Sequence, residues 1–440
     1  MLDQKDAIKL EKYSKSIKNF GAYSLTSKIN FIEEGLPFLR AQNVKDNYID
    51  WSNLVYIDES SHEILDKSYI QRGQVLLTMA GEYLGKSAVY DNNQIISSNQ
   101  AIAKITLNDG APNPYYISTF LNSYFGQVQI NRLKTITGQP NINMMQIREI
   151  RFPEMSVDFQ NQIARIVSRA HELRKRSREL NNAAEEKILK KLNIYNFVKE
   201  IDSFSSVNIK NYSETQLASR LDAEYYQPKY EKLLEKIISY KGSWARVRDH
   251  FDLVVDKSSK MNEEYNYVEI SDVDVSTGMY TYKTLSSSDL PTNAKIEPKS
   301  GDILISKVRP NRGAITIIDD DIFNLIVSGA FTVLRSKSSY STELLKMLFR
   351  SKIYRELLLK NNVGTSYPVI KDIDVLNIPI PLFDKQTEEE ILIIALDAQD
   401  MLNESNYFLS LAKIIVEKAV EKGEEIALNY MDDVNSFTTI

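Results

Sequence analysis

The sequence predicts an α+β protein: two copies of one mixed α/β unit, each followed by a long helix, with the two helices paired inside the chain. Three observations carry this expectation. At 440 residues the chain exceeds what one hydrophobic core ordinarily serves, so two or more domains are expected. The chain also repeats itself. "IQRGQVLLTMAGEYLGKSAVY" (70–90) resembles "PKSGDILISKVRPNRGAITII" (298–318), with Gly73 matching Gly301 at an offset of 228. "TGQPNINMMQIREIRFPEMSVDFQNQ" resembles "VGTSYPVIKDIDVLNIPIPLFDKQTE", with Gly138 matching Gly364 and Gln160 matching Gln386 at an offset of 226. Copies this long are duplicated domains, not solenoid repeats. Finally, both copies end in the same apolar rhythm of 3,4,3,4 spacing, the seam of a coiled coil.

Taken in order, residues 1–156 form the first unit. Its candidate strands are 35–44, 74–80 and 101–107, and its helix is 113–133. The hinge "TITGQPNINMMQIREIRFP" (135–153) supplies a permissive Gly and rigid prolines before the first long helix, residues 157–200. Its seam is Ile163, Ile166, Ala170, Leu173, Ser177, Leu180 and Ala184. The polar, Ser/Asn-rich stretch 201–217 reads as a linker. Residues 218–385 form the second unit, opening with a segment (218–237) that has no clear counterpart in the first. Its candidate strands are 264–273, 302–308 and 329–336, its helix 341–360, and its hinge 361–381. The second long helix, 386–428, carries Ile391, Ile394, Ala398, Met401, Ser405, Phe408 and Ala412, large and small residues falling where the first helix has them. Residues 429–440 are a tail. Asp158 and Asp384 are the candidate N-caps of the two helices.

Charge agrees with pairing inside the chain. Residues 157–200 carry net +4 and residues 386–440 net −9, whereas the two globular units are each neutral. Opposite charge beside a common seam favours pairing of these two helices over self-association. Composition excludes other classes. There is no cysteine, and the three histidines, His62, His171 and His250, are scattered, so disulfides and thiolate metal sites are ruled out. His171 reads as a solvated residue flanking the seam. No apolar run approaches the ~18 residues of a membrane span, and the charged N-terminus lacks a signal-peptide core; a cytoplasmic protein without membrane contact is expected.

No catalytic constellation emerges. Asp302 and Lys307 in "GDILISKV" suggest a magnesium nuclease, but the second carboxylate is missing: Ile305 stands two residues before the lysine. "APNPYYI" (111–117) resembles the adenine-binding motif of amino-methyltransferases in the wrong order and without a cofactor loop. "GEYLGKS" (81–87) has its glycines one residue too close for a phosphate-binding loop. Nucleic-acid contacts fit better. Lys307, Arg309 and Arg312 lie together without an acid, and guanidinium forks suit phosphates and guanine edges. The first copy offers Lys86 and Ser87 there. Asn99 and Gln100 can read adenine edges, Arg132 and Lys134 precede the hinge, and Gln139 lies within it.

Two divergent domains, each closed by "TGQPNIN…IREIRFP…DFQNQI" or "VGTSYPVI…VLNIPIP…DKQTEEEI" and a long helix, resemble the specificity (S) subunit of type I restriction–modification systems; "SRLDAEYYQPKY" resembles a recurrent element of such proteins. The resemblance covers residues 1–428, and the second hinge departs from it with Thr365-Ser366-Tyr367-Pro368 in place of Gly138-Gln139-Pro140-Asn141. It implies two target recognition domains, each reading half of a bipartite double-stranded DNA site, on antiparallel helices that act as a ruler. It implies a non-catalytic chain that binds no cofactor and docks two adenine-N6 methyltransferase subunits. A motor-nuclease subunit joins in complete systems, and S-adenosylmethionine, Mg²⁺ and ATP belong to those partners. Other readings fit the residues too: an S-like module serving a methyltransferase–nuclease fusion, a protein-binding scaffold on a coiled coil, or a stand-alone nuclease.

Overall fold

The structure is a computed structural model that describes residues 7–20, 23–52, 54–135, 138–200, 207–255, 258–319, 321–363 and 367–438. The chain forms two compact units, Met1–Arg176 with Asp400–Ile440, and Ser177–Gln399. Each unit therefore holds one globular repeat, the start of one long helix and the end of the other.

The two repeats share a topology. In the first unit a four-stranded antiparallel sheet has the order Ser14–Lys18, Ile102–Leu107, Val75–Thr78, Ser87–Val89. In the second the order is Phe251–Leu253, Phe331–Ser336, Ile303–Ser306, Ile315–Ile317. The central strands, Val75–Thr78 and Ile303–Ser306, are buried on both faces. Side chains alternate across a strand, so Val75 and Leu77 face the helices while Leu76 joins a separate cluster on the other face. Ile303, Ile305 and Leu304 divide the same way. A second, mixed sheet contains one parallel pair in each unit, Leu36–Leu39 with Ser97–Ser98 and Glu264–Val268 with Leu325–Ser328. A short antiparallel pair, Ala7–Lys9 with Arg151–Pro153 and Trp244–Arg246 with Pro379–Pro381, closes each repeat.

The first long helix is Val157–Lys191 and the second Lys385–Lys422. The second starts at Asp384, whose carboxylate accepts from Thr387 N (2.9 Å), as expected for an N-cap. The first is capped by Ser156, whose Oγ accepts from Phe159 N at 3.2 Å, so Asp158 lies two residues past that role, inside the first turn. The helices end at left-handed residues, Asn193 (φ 55°) and Gly423 (φ 92°), and a further helix follows each, Tyr195–Glu200 and Glu424–Thr438. The C-terminal stretch expected as a tail is thus helical to residue 438. In the expected linker, 201–206 lie outside the described residues and Tyr212–Ala218 is a helix, because Glu214 reaches back 2.9 Å to Asn211 N in a capping box.

The helices pair antiparallel. In the second unit Ser177 Oγ donates to Ala398 O (2.6 Å), Lys187 pairs with Glu390 (2.5 Å) and Lys191 with Asp384 (3.8 Å), so rising numbers on one helix meet falling numbers on the other. In the first unit Ser405 Oγ donates to Ala170 O (2.8 Å) and Arg174 binds Asn406. The two serine bonds join the same pair of repeat positions, since 177 and 170 plus 228 give 405 and 398. Ile163, Ala170, Ser177 and Ala184, like Ile391, Ala398, Ser405 and Ala412, are all buried. Leu173 is buried, whereas Ile166, Leu180, Ile394, Met401 and Phe408 are half-buried. On the second helix Ala395, Leu402 and Leu409, one residue further on, are buried as well. Small residues at the line of closest approach bring both flanks of the row into contact.

Cores and seam are continuous within each unit. Leu409, Ala412, Ile415 and Val416 of the second helix, with Ala427 and Met431 beyond it, share a cluster with Tyr116, Phe120 and Phe152 of the first repeat. Ile188, Leu189, Leu192 and Ile194 do the same for the second repeat. A carboxylate from the visiting helix also caps a domain helix in each: Glu417 accepts from Tyr124 N (2.6 Å), and Glu185 from Lys352 N (3.1 Å). His171 is not a solvated flank. Its Nε2 lies 2.6 Å from Asn47 O and its ring meets Tyr115 edge-on, and burial holds its pKa below the ordinary value.

Two outcomes are expected. Ser405→Leu should destabilise the protein by about 1–3 kcal/mol in urea titration, because a larger knob overpacks the row; a change below about 0.5 kcal/mol would show that the helices do not approach this closely. Lys104 is buried among the strands, donating to Lys67 O (3.1 Å) and Ser98 Oγ (3.3 Å), and burial pushes its pKa from 10.5 down to about 7. The second unit has buried Val333 at this place, opposite Leu304 as Lys104 is opposite Leu76. Between about pH 7 and 10.5 the unfolded chain holds a proton that the folded chain lacks, so stability rises with pH across this window. Lys104→Met should therefore be more stable than the parent at pH 6, by a margin that shrinks towards pH 9.5. A margin independent of pH would contradict the assignment.

Candidate nucleic-acid interface

In both units the turn that leaves the central strand is stitched to the hinge that precedes the long helix. In the first unit Ala80 and Asn141 form an antiparallel bridge, Gly81 N donates to Pro140 O (3.2 Å) and Ile142 N to Met79 O (2.8 Å). In the second, Val308 bridges Val369, Arg309 N donates to Pro368 O (2.7 Å) and Ile370 N to Lys307 O (3.0 Å). All of these pairs are related by 228, so Pro140 corresponds to Pro368 and Gln139 to Tyr367. The hinge register expected from Gly138 and Gly364 is two residues out; Gly364, Thr365 and Ser366 themselves lie outside the described residues.

A polar clamp holds the far end of each turn. Asn122 donates to Ser87 O (2.8 Å) and Asn47 Oδ1 (3.0 Å), and its Oδ1 accepts from Ser87 N (3.0 Å). Arg350, at the equivalent place, donates to Gly313 O (3.1 Å), Val275 O (3.2 Å) and Ser276 O (2.9 Å). Its burial without a carboxylate contact lowers its pKa to about 10. These three backbone acceptors, with Ile315 O at 3.5 Å as a fourth, make this buried guanidinium a brace for the loop rather than a ligand-facing group.

The cations expected to meet nucleic acid separate into two kinds. Lys86 is 3.0 Å from Asp46, and Lys307 is 3.0 Å from Asp372 Oδ1, the oxygen that also accepts from Thr332 Oγ1 (2.7 Å). Their charge is compensated locally. Arg312 is exposed, and Arg309 places its guanidinium 4.1 Å from the centroid of the Tyr367 ring. No ion pair among the described residues engages either arginine. Ser87 is a correction. It is fully buried inside the strand Ser87–Val89, bound through its backbone to Asn122, and its hydroxyl does not face solvent.

Asn99 and Gln100 lie beside the turn, on the segment whose Ala101 O accepts from Met79 N (2.7 Å). The Asn99 carboxamide is turned to Ala101 N (3.3 Å), while Gln100 is exposed. Arg132 is exposed at the end of the helix Tyr124–Leu133, and Lys134 Nζ donates to Asn131 Oδ1 (2.7 Å). Gln139 is exposed on the hinge, its carboxamide above Gly81. Sequence reasoning missed Tyr367. Its signal was present, because the 228 offset that aligns the strands also places it opposite Gln139. The nuclease pair does not assemble: both oxygens of buried Asp302 are taken by Arg335 at 2.8 Å, while Lys307 has a different partner. No group of metal-ligating side chains occurs among the described residues, and none of their helices is long and apolar enough to cross a membrane.

No protein-family model matches the chain. Two curated proteins do. One is described as a type I restriction enzyme MjaX specificity subunit from Methanocaldococcus jannaschii, 28% identical over 149 residues, 33% of this chain and 35% of that one. The other is the HindI type I restriction enzyme specificity subunit of Haemophilus influenzae, 31% identical over 142 residues, 31% of each chain. The chain thus spans about a third of the length of each relative. Among solved structures, the type I restriction–modification S subunit from M. genitalium aligns over 96% of this chain and 97% of its own, with 12% identity and a TM-score of 0.42. The HsdS subunit from Thermoanaerobacter tengcongensis aligns over 95% and 96%, with 14% identity and a TM-score of 0.31. In sequence, over that third of its length, the chain is related to the specificity subunits of type I restriction enzymes.

Proposed function

We propose that this chain is the non-catalytic DNA-recognition subunit of a type I restriction–modification complex, each unit reading one half of a bipartite double-stranded site. The observation that carries the reading is the twofold construction of one loop pair: the same turn, stitched to the same hinge, closed by the same clamp, with different side chains at its tip. A protein that reads two different half-sites needs a constant frame with variable contacts. The two relatives named as specificity subunits support it.

In this reading each unit enters the grooves of DNA with its turn and hinge, where Arg309 and Arg312 in one unit and Gln139 and Gln100 in the other are the available polar groups. The long helices set the gap between half-sites; 35 residues at 1.5 Å each give about 52 Å. Two adenine-N6 methyltransferase subunits dock on the chain, and a motor-nuclease subunit joins them in the restricting complex. Those partners bind S-adenosylmethionine, Mg²⁺ and ATP, and the complex works in the cytoplasm. Affinity for DNA falls as salt rises, because cations such as Arg312 and Arg132 displace counterions from phosphates.

Single-molecule sequencing of DNA from a host co-expressing this chain with its modification subunit should show one bipartite motif with methyladenine in both halves. Absence of any new motif from a soluble complex would refute the reading. Deleting one heptad from each long helix, about 10 Å of rise, should shorten the gap by about three base pairs or abolish methylation. A motif with its original spacing would rule the ruler out.

A further inference from the structure

We propose that residues 81 and 139 of the first unit and residues 309 and 367 of the second are one base-reading subsite, set for adenine through Gln139 and for guanine through Arg309. The inference rests on the DNA-reading function above and names the bases it selects.

The two pairs occupy one backbone site. Residues 81 and 309 both follow the bridge to the hinge, and both adopt the left-handed conformation, at φ +82° and +50°. Glycine enters this region freely, whereas an arginine does so at a cost that its contacts at this tip must offset. In the first unit the glycine makes room: a Cβ on Gly81 would stand 2.9 Å from Gln139 Nε2. The carboxamide fills that space from the hinge side.

In the second unit the roles are exchanged. The hinge position is a flat ring, Tyr367, 54% exposed, and the turn position carries the long side chain. The ring supports the guanidinium at 4.1 Å, fixing its plane without consuming a donor. The neighbouring Lys307 is held by Asp372, which leaves Arg309, with the exposed Arg312 beyond it, for a ligand at this tip.

The chemistry of each tip selects a base. A guanidinium fork donates twice to guanine O6 and N7, and a carboxamide donates to adenine N7 while accepting from N6. Around the subsite the frame is retained: the bridge, the flanking hydrogen bonds and the clamp from position 122 or 350 recur in both units. Divergence within an unchanging frame is what separate half-site specificities require.

The test uses the complex with its modification subunit and the methylation motif as readout. Arg309→Gly introduces the residue the first unit uses here and suits the left-handed backbone. It should relax one G·C position in one half of the motif, where the wild type discriminates about tenfold to a hundredfold. The other half should stay unchanged. Gln139→Ala should relax an A·T position in the opposite half. An unaltered motif in Arg309→Gly, or relaxation in both halves together, would overturn the inference while leaving the function reading in place. Should the variant complex be inactive, the wild-type complex on a duplex carrying 7-deazaguanine at that position decides. Loss of about tenfold in affinity supports the fork, and equal affinity overturns it. A wild-type complex with no bipartite motif would bring down the function reading, and this inference with it.

Discussion

The close approach of the two long helices is set by a row of alanines and serines, and the rest of the structure depends on it. Ser177 and Ser405 are buried, so their hydroxyls need partners inside the protein, and each finds a backbone carbonyl on the facing helix. That bond is reachable only because Ala398 and Ala170 present little more than backbone. Once the helices are this close, their far halves lie within each unit's core, where Ile415 and Val416 or Ile188 and Leu192 meet the domain helices. Glu417 and Glu185 then arrive at the N-termini of those helices, adding an electrostatic contact to the apolar one.

The globular repeats solve a different problem with equal economy. A central strand buried on both faces anchors the turn at its end, and backbone bonds to the hinge fix where that turn points. The residues that do this are backbone atoms or buried side chains, so identity between the copies can fall low without moving the loop. Arg350 and Asn122 show how far the divergence goes, for a charged fork and a neutral carboxamide brace the same place by meeting backbone groups around it. What differs at the solvent-facing tip is then free to follow the ligand.

Much of this was legible in the sequence because it is periodic. The 3,4 spacing exposed both helices, the matching small residues announced a close seam, and the 228 offset revealed duplication. The failures have identifiable causes. Gly138 and Gly364 are identical residues, and that identity pulled the hinge alignment two places away from the register that backbone pairing enforces through Pro140 and Pro368. Ser87 looked like a loop residue because it follows a glycine and a lysine, yet the strand begins at once and buries it. His171 sits just beside the seam, where a helical wheel predicts solvent; the loop carrying Asn47 covers it instead, and no local signal reports a contact between residues so far apart in sequence. The buried row of Ala395, Leu402 and Leu409 beside the seam was invisible for the same reason, since a heptad count assigns two rows and a close-packed pair of helices engages more.

The interleaving of the two units has a consequence for how the protein is made. Ser177–Gln399 is one unbroken stretch, so the whole of the second unit is synthesised before Asp400, where the first unit resumes. The first unit begins earlier and is completed later: its core lacks Leu409 to Met431 until those residues follow the second unit out of the ribosome, and Phe152, Phe159 and their neighbours wait for them. The order of maturation thus runs against the order of synthesis. During that interval the first unit is the one that needs protection, and the helix Glu424–Thr438 acts as its closure.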